Sequence, residues 1–437
     1  MRRTWILAIV FPALLSAQTL TLDDAVQKAM EHNAMLKAEE ARVTGAVAQE
    51  KEARSYLLPQ VEASSGFVRT NQPASVFAMK LNQKAFDMNA FFSADPNNPA
   101  YLNTYLTSIS FTLPLYTGGQ VRAGMAAARE QKEAFQQELQ KKRQETLSQV
   151  TRAYLGVLLA KEYVSLAEKA HDTVAQHVKM ARDYFETGMI VESDLLRAKL
   201  ELAKMDDQLI RVGNAEKTAR TGLAILMGEP PESVWEVASV EPPASAPLPP
   251  EAEDITLALA SRPDLKFAEH MENALAQDVN RITGQRLPQV GLSITQEWYD
   301  KDFLGTHGDS ATAMVGLKIP LFTGGRITAQ AAQARARKDE MTQMRAALKD
   351  GVVMDVRRSR YAIEEASARV GVARDNEDTA VKNLSIVEER YKKGILKMTD
   401  LLDADTALSE ARTRLLSAQF DYLQAERDYR LALGKEM

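Results

Sequence analysis

Leu113-Pro114-Leu115-Tyr116-Thr117-Gly118-Gly119-Gln120 is written a second time in this chain, as Ile319-Pro320-Leu321-Phe322-Thr323-Gly324-Gly325-Arg326. Before each copy apolar and polar residues alternate, and after each copy helix formers run on without proline. Proline interrupts a strand ladder, and paired glycines allow positive φ or a close backbone approach. The helix formers that follow open a helix. A strand-to-helix joint made twice reads as a tandem duplication.

The two joints are 319 − 113 = 206 residues apart. Downstream, Tyr184-Phe185-Glu186-Thr187-Gly188-Met189-Ile190-Val191-Glu192-Ser193-Asp194-Leu195-Leu196 matches Arg390-Tyr391-Lys392-Lys393-Gly394-Ile395-Leu396-Lys397-Met398-Thr399-Asp400-Leu401-Leu402 at the same offset. Upstream the offset is 265 − 36 = 229, carried by Leu36-Lys37 with Leu265-Lys266 and by Leu58-Pro59-Gln60-Val61 with Leu287-Pro288-Gln289-Val290. The difference of 23 residues places an insertion in the first copy, within Asn71 to Asn103, a polar stretch expected to be a strand-joining loop.

Each half then reads helix, strand, strand, long helix, turn, helix. Leu20 to Tyr56 and Asp254 to Arg286 are the opening helices, closed by Pro59 and Pro288. Tyr105, Thr107, Ile109, Phe111 and Leu113 alternate with polar residues, as do Val290, Leu292 and Ile294, and Ala311, Ala313, Val315, Leu317 and Ile319. Strands of about ten residues with one apolar face suit a membrane barrel. A half-buried soluble hairpin has the same period. The long helices, Gln120 to Glu186 and Arg326 to Lys392, contain no proline. At ~1.5 Å per residue each is roughly 100 Å long. Leu147, Val150, Tyr154, Val157, Val164, Ala167, Val174, Val178, Ala181 and Phe185 keep the three-and-four spacing of a coiled-coil seam. Gly188 and Gly394 end these helices, and Ser193 or Thr399 can cap the returning ones.

The resulting division is a signal segment at 1–17, a first repeat at 18–228, a proline-rich connector at 229–253 and a second repeat at 254–434. Arg2 and Arg3 precede an apolar core from Trp5 to Leu15, and small residues precede Gln18, the pattern of a cleaved secretory signal. Formal charge is −5, and −7 once the two arginines are removed, which argues against a nucleic-acid partner. The chain has no cysteine, which excludes a disulfide scaffold, a thiolate metal site, a cysteine nucleophile and a lipid-bearing cysteine after the signal. No later apolar run is long enough for a transmembrane helix. A membrane would have to be met by strands or by surface contact. Four strands cannot close a barrel and an open edge is not viable in lipid, so the membrane reading requires oligomers.

The exported chain, the doubled strand–strand–long-hairpin unit, the two Pro-Leu-aromatic-Thr-Gly-Gly joints and the two Gly-x5-Asp-Leu-Leu turns resemble the TolC-like outer-membrane efflux proteins. The resemblance spans Leu20 to Gly434. It implies a mixed α and β membrane protein and a homotrimer. Four strands per chain would complete a 12-stranded β-barrel in outer-membrane lipid, and the long hairpins would form an α-barrel through the periplasm. It further implies a passive exit duct, joined through a periplasmic adaptor (membrane fusion) protein to an inner-membrane transporter of RND, ABC or MFS type. The competing class is a structural periplasmic coiled-coil protein with no channel role.

No catalytic constellation and no cofactor is expected. His32, His171, His177, His270 and His307 lack ligand spacing, and His171 is expected at a helix interface. Asp400 and Asp403 lie three apart on one helix face. In a trimer they would form rings of carboxylates that attract cations, although Asp400 also suits a helix first turn. The resemblance assigns these two residues to the periplasmic aperture, with Asp194 and Tyr391 tying the inner hairpin to its neighbour. The family member compared has a basic residue two positions past the turn glycine where this chain has Leu396, which puts the second latch contact in question. The tips, with Gly188, Met189, Ile190 and Val191 and with Gly394, Ile395 and Leu396, carry apolar residues expected to be exposed, and the resemblance makes them the adaptor-docking surface. Pro114, Gly118, Gly119, Pro320, Gly324 and Gly325 are the barrel-to-helix junctions.

Overall fold

A computed structural model describes residues 19–93, 95–233, 235–239 and 247–435. The signal segment and the centre of the connector lie outside the described residues. In order the elements are β1 (Thr19–Leu20), α1 (Leu22–His32), α2 (Ala34–Ser55), β2 (Gln60–Thr70), α3 (Pro73–Asn82), α4 (Met88–Ser93), β3 (Leu102–Tyr116), α5 (Gln120–Glu186), α6 (Glu192–Met227), β4 (Glu236–Val237), α7 (Glu251–Ser261), α8 (Pro263–Thr283), β5 (Gln289–Asp300), β6 (Gly308–Lys318), α9 (Arg326–Lys392) and α10 (Met398–Ala432). The two long helices have the expected bounds and equal lengths of 67 residues. The described residues fall into two compact units, one within Met1–Ala41, Gln137–Leu265 and Ala347–Met437, the other within Arg42–Gln136 and Lys266–Ala346.

The second unit holds a four-stranded antiparallel sheet in the order β2-β3-β5-β6. Its middle pair joins the two repeats, with Ile109 opposite Gln296, Phe111 opposite Ile294 and Leu113 opposite Leu292. Alternation along each strand then gathers Val61, Phe67, Tyr105, Ile109, Phe111, Leu113, Leu292, Ile294, Trp298, Val315 and Leu317 onto one face. The other face carries Ser64, Ser108, Ser110, Thr112, Ser293, Thr295 and Lys318. Several of the apolar-face residues are exposed in the single chain, Val61 at 68%, Val315 at 67% and Leu317 at 64%.

The segment 71–103 departs from the expectation of a loop, because it contains α3 and α4. Pro73 sits at the first turn of α3, where its missing N–H removes nothing from the helix. Gln83 at the end of α3 is buried and donates to Thr104 Oγ1 at 2.9 Å and to the Asn103 carbonyl at 3.3 Å, which fastens the insertion to β3. Lys84 pairs with Asp309 at the start of β6.

The opening helices also differ from the expectation, since each is broken. The first breaks at Asn33 (φ −62°, ψ 121°) and the second at Arg262 (φ −61°, ψ 126°). These positions are 262 − 33 = 229 residues apart, the upstream offset. Different chemistry makes the same bend. Pro263 forbids helical backbone at Arg262. Asn33 instead turns its side-chain oxygen onto the N–H groups of Met35 and Leu36, at 2.9 and 3.3 Å, and donates its amide to the Leu226 carbonyl.

In the first unit the two repeats build matching cores. Ala25, Ala29, Val150, Tyr154, Leu223 and Met227 pack in one cluster. Ala258, Val356, Tyr429 and Leu433 pack in another, and they stand 229 or 206 residues beyond Ala29, Val150, Leu223 and Met227. The described parts of the connector take up regular structure: β4 pairs in parallel with β1, and its last residues, from Glu251, already belong to α7.

Candidate functional site

The junctions come first in the geometry. Gly118 and Gly119 have φ of 63° and 77°, and Gly324 and Gly325 have 60° and 79°. Two successive left-handed residues turn the chain from strand to helix, a course that side chains with a Cβ resist. The carbonyls of Gly119 and Gly325 then accept from Ala123 and Ala329 at 2.9 and 3.0 Å and start the helices. The copies differ in their surroundings. A Cβ on Gly118 would stand 2.4 Å from the Gly284 carbonyl oxygen, on a 3-10 turn (284–286), whereas one on Gly324 would meet nothing within 4 Å. The prolines differ too. Pro320 follows the end of β6 as expected, but Pro114 lies inside β3, opposite Gly291, and the register shifts between Pro114 and Tyr116. The strand accommodates proline by a bulge at its end rather than stopping there.

At the tips, α5 and α9 close alike. Met189 N–H donates to the Tyr184 carbonyl at 2.8 Å and Gly188 N–H to Phe185 at 3.0 Å; Ile395 donates to Arg390 at 3.0 Å and Gly394 to Tyr391 at 2.9 Å. This is the Schellman closure, and it needs the positive φ of Gly188 (73°) and Gly394 (70°). Met189, Val191 and Ile395 are exposed, whereas Ile190 and Leu396 are half-buried and Ile190 packs on the hairpin core. Ser193 and Thr399 do not cap. The cap positions are Val191 and Lys397, and both hydroxyl residues lie two residues further on, inside the first turn.

Asp400 takes the capping role, with its Oδ2 accepting from Lys397 N–H at 2.9 Å. Asp403, one turn deeper, is exposed. Asp194 holds the position that matches Asp400 in the other hairpin, but Arg197 holds the one that matches Asp403. Tyr391 is buried in the hairpin core beside Tyr184, with ring centroids 6.0 Å apart. Its hydroxyl is buried without a hydrogen-bond partner. Burial, with Tyr184 and Asp194 nearby, pushes its phenol above the usual range.

One further pair escaped the sequence. His177 on α5 is buried and its Nε2 lies 2.5 Å from Asp405 Oδ2 on α10. With Arg152–Asp428 at 3.2 Å and Tyr163–Ser417 at 2.5 Å, it ties the long helix of the first repeat to the returning helix of the second. His171 lies 3.2 Å from Asp206 on α6, at a helix interface as expected. Phe185, placed on the seam by its spacing, is exposed, so the buried stripe ends at Ala181 and Tyr391 closes the hairpin core.

The model of the outer membrane efflux protein family matches residues 25–229 and 255–435. The chain is 27% identical over 421 residues to outer membrane efflux protein BepC of Brucella suis biovar 1, covering 94% of this chain and 84% of that one. It is 26% identical over 343 residues to alkaline protease secretion protein AprF of Pseudomonas aeruginosa, covering 74% and 68%. Among solved structures it is similar to CusC, with a TM-score of 0.82, 16% identity, and 98% and 96% of the two chains covered.

Proposed function

The chain belongs to the outer membrane efflux protein family, and from that membership we propose that it is the passive exit duct of a tripartite efflux or type I secretion system in a Gram-negative envelope. Three copies complete a 12-stranded barrel in outer-membrane lipid, and their helical hairpins form the periplasmic tunnel. A cleaved signal exports the chain. A periplasmic adaptor and an inner-membrane transporter are its partners, and it carries out no chemistry of its own.

The observation that carries this reading is the sheet. It has one largely apolar face, with Val61, Phe67, Ile109, Ile294, Val315 and Leu317 exposed in the single chain, and it ends in two edge strands, β2 and β6. An apolar outer band on tilted strands is what lipid requires, and closure is what its edges require. Aromatic residues sit near both limits of that face, with Phe67, Tyr105 and Trp298 at one and Tyr116, opposite Val290, at the other. Such girdles mark the two membrane–water interfaces of a barrel. The names of its relatives cover efflux and protein secretion alike, so the cargo class is left to the transporter.

The tips supply the aperture. Asp400 and Asp403 face the narrow end, Asp194 and Tyr391 hold the inner hairpin, and Met189, Ile190, Ile395 and Leu396 around Gly188 and Gly394 dock the adaptor. Because Arg197 matches Asp403, an acidic ring at that level needs the second-repeat hairpins to stand nearer the axis than the first-repeat ones. Membrane fractionation tests the duct: heat-modifiable trimers in the outer membrane are expected, and a soluble periplasmic species overturns the reading. Conductance in planar bilayers tests the aperture: Asp400→Ala with Asp403→Ala reduces block by divalent cations and cation preference, and unchanged block removes the ring.

A further inference from the structure

The contact that joins the two repeats within one chain is a template for the contact between chains. β3 of the first repeat pairs with β5 of the second. The strands left at the edges, β6 and β2, are their counterparts, because β6 stands 206 residues beyond β3 and β2 stands 229 residues before β5. Carrying the observed register across those offsets converts the intrachain pairs from Leu106–Tyr299 to Thr112–Ser293 into edge-to-edge pairs. Ile109 opposite Gln296 becomes Val315 opposite Phe67. Ser108 opposite Glu297 becomes Met314 opposite Val68. Ser110 opposite Thr295 becomes Gly316 opposite Gly66, and Thr112 opposite Ser293 becomes Lys318 opposite Ser64.

The chemistry of the two edges fits this register. Val315 and Phe67 are 67% and 53% exposed in the single chain, and the register sets them side by side on the apolar face. Lys318 falls on the polar face, diagonal to Glu62. Cross-strand diagonals of about 7–8 Å are within reach of a long side chain. A slip of one residue would instead set Lys318 opposite Ala63 or Ser65, residues of the apolar face. The junctions agree. Gly118 is covered by the turn at Gly284 and Leu287, and the same offsets place Ser55 and Leu58 of the next chain over the open Gly324. Helix faces follow suit. Leu196, Ile210 and Ile225 of α6 are exposed, whereas their counterparts Leu402, Leu416 and Leu431 on α10 are buried or half-buried.

We infer that β6 of one copy pairs antiparallel with β2 of the next copy in the register Val315–Phe67, Gly316–Gly66 and Lys318–Ser64, repeating between chains the seam that β3 and β5 make within one. This residue-level seam rests on the trimeric reading above and goes beyond it, since a trimer could close in other registers. One non-identity is built in. Gly284, whose Cβ would stand 2.5 Å from the Gly118 carbonyl oxygen, is matched by Ser55, so the seam between chains is more open at its junction than the seam within a chain.

The cysteine-free chain makes the test direct. Opposite residues in antiparallel strands place their Cβ atoms about 4.5–5.5 Å apart, near disulfide range, and a two-residue shift opens this to about 7–8 Å. The full-length double variants Val315→Cys/Phe67→Cys and Met314→Cys/Val68→Cys are oxidised in outer membranes. Ile109→Cys/Gln296→Cys serves as the matched intrachain pair. At least one edge pair is expected to give a covalent ladder reaching three chains, and the control a product of one chain's mass. The shifted pair Val315→Cys/Ser65→Cys is expected to give no ladder. A ladder from the shifted pair alone, or none from either edge pair while the control closes, overturns the register and leaves the duct standing. Absence of any trimer of the parent protein removes the duct and the register together.

Discussion

Replacing Asp254 by Ala should cost far more than its surface charge suggests, and two further replacements should return most of the loss. Asp254 lies in the first turn of α7 and is only 3% exposed. Its Oδ2 accepts from the Tyr429 hydroxyl at 2.6 Å and from Arg360 Nη1 at 2.9 Å. Burial and then this carboxylate push the Tyr429 phenol far above its usual range. Arg360 also donates to the Pro249 carbonyl at 2.5 Å and lies 3.2 Å from Glu364. Removing one member of a buried pair costs about 3–5 kcal/mol, because the other charge stays buried. Arg360 keeps two weaker partners, so about 3 kcal/mol is expected. The first repeat shows the alternative. Its matching residues are Ala25, Tyr154 and Leu223, packed in one apolar cluster. The Tyr154 hydroxyl lies 2.9 Å from the Leu20 carbonyl oxygen, and Leu20 is the counterpart of Pro249. The triple variant Asp254→Ala/Arg360→Tyr/Tyr429→Leu writes the first repeat's solution into the second, and a tyrosine at 360 finds the same carbonyl. It should recover all but about 1 kcal/mol, since well-packed apolar residues replace buried ion pairs at little cost. Denaturant unfolding of the detergent-solubilised protein at matched concentration reads both values. A single variant within about 0.5 kcal/mol of the parent, the range of ordinary surface changes, or a triple variant as unstable as the single, refutes the reasoning.

The junction glycines should separate strain from clash. Gly324→Ala bears only the left-handed backbone penalty of about 1–2 kcal/mol in the isolated chain, whereas Gly118→Ala adds the displacement of a carbonyl 2.4 Å away and should cost about 1–3 kcal/mol more; equal losses in thermal unfolding count against the packing described. Ala34→Pro should be neutral or stabilising by about 0.4–1 kcal/mol, because Asn33 already has the backbone that Pro263 imposes on Arg262; a marked loss of helix signal on heating counts against it. Asp400→Ala should lower stability by about 1 kcal/mol through the lost cap as well as altering conductance, while Asp403→Ala should alter conductance alone. Thermal melts beside bilayer recordings separate the two, and a stability loss confined to Asp403→Ala contradicts the assignment.

The long helices could be read to their end residues because proline and glycine punctuate them and nothing between Gln120 and Glu186 competes. Three of the four strands were legible from alternation; β2, with Ala63, Ser64, Ser65 and Gly66 at its centre, alternates only weakly, and the pairing of β3 with β5 across the repeats carries no local mark. The helix break at Arg262 was written in the sequence, since Pro263 lies inside the stretch expected to be one helix; its amphipathic spacing continues across the bend and masks it. The break at Asn33 carries no such mark, because a side-chain cap with ordinary neighbours looks like helix interior. Pro73 marked α3 in the same way that Pro263 marks α8, but the polar composition around it reads as loop. The bulge at Pro114 lies opposite Gly291, a partner across the sheet that local patterning does not reveal. His177 and Asp405 are 228 residues apart, and each alone looks like a solvated helix residue. Cap geometry at the tips fell two residues before the hydroxyl residues, because the backbone closed on glycine and the carboxylate of Asp400 reached back to Lys397.

The paired bends at Asn33 and Arg262 carry a consequence for how such a chain changes over time. One turn of backbone is held in place by a side-chain cap in one half and by an imino acid in the other, and the cores beneath them hold Ala25 with Leu223 in one case and Asp254 with Tyr429 in the other. Shape has been kept, with Ala29 and Val150 repeated as Ala258 and Val356, while other residues enforcing it have been exchanged together. Each half therefore constitutes a tested replacement kit for the other, to be transplanted as a coordinated set. Residue-by-residue averaging of the two halves would mix incompatible kits, and the stable hybrids should be those that move whole clusters at once.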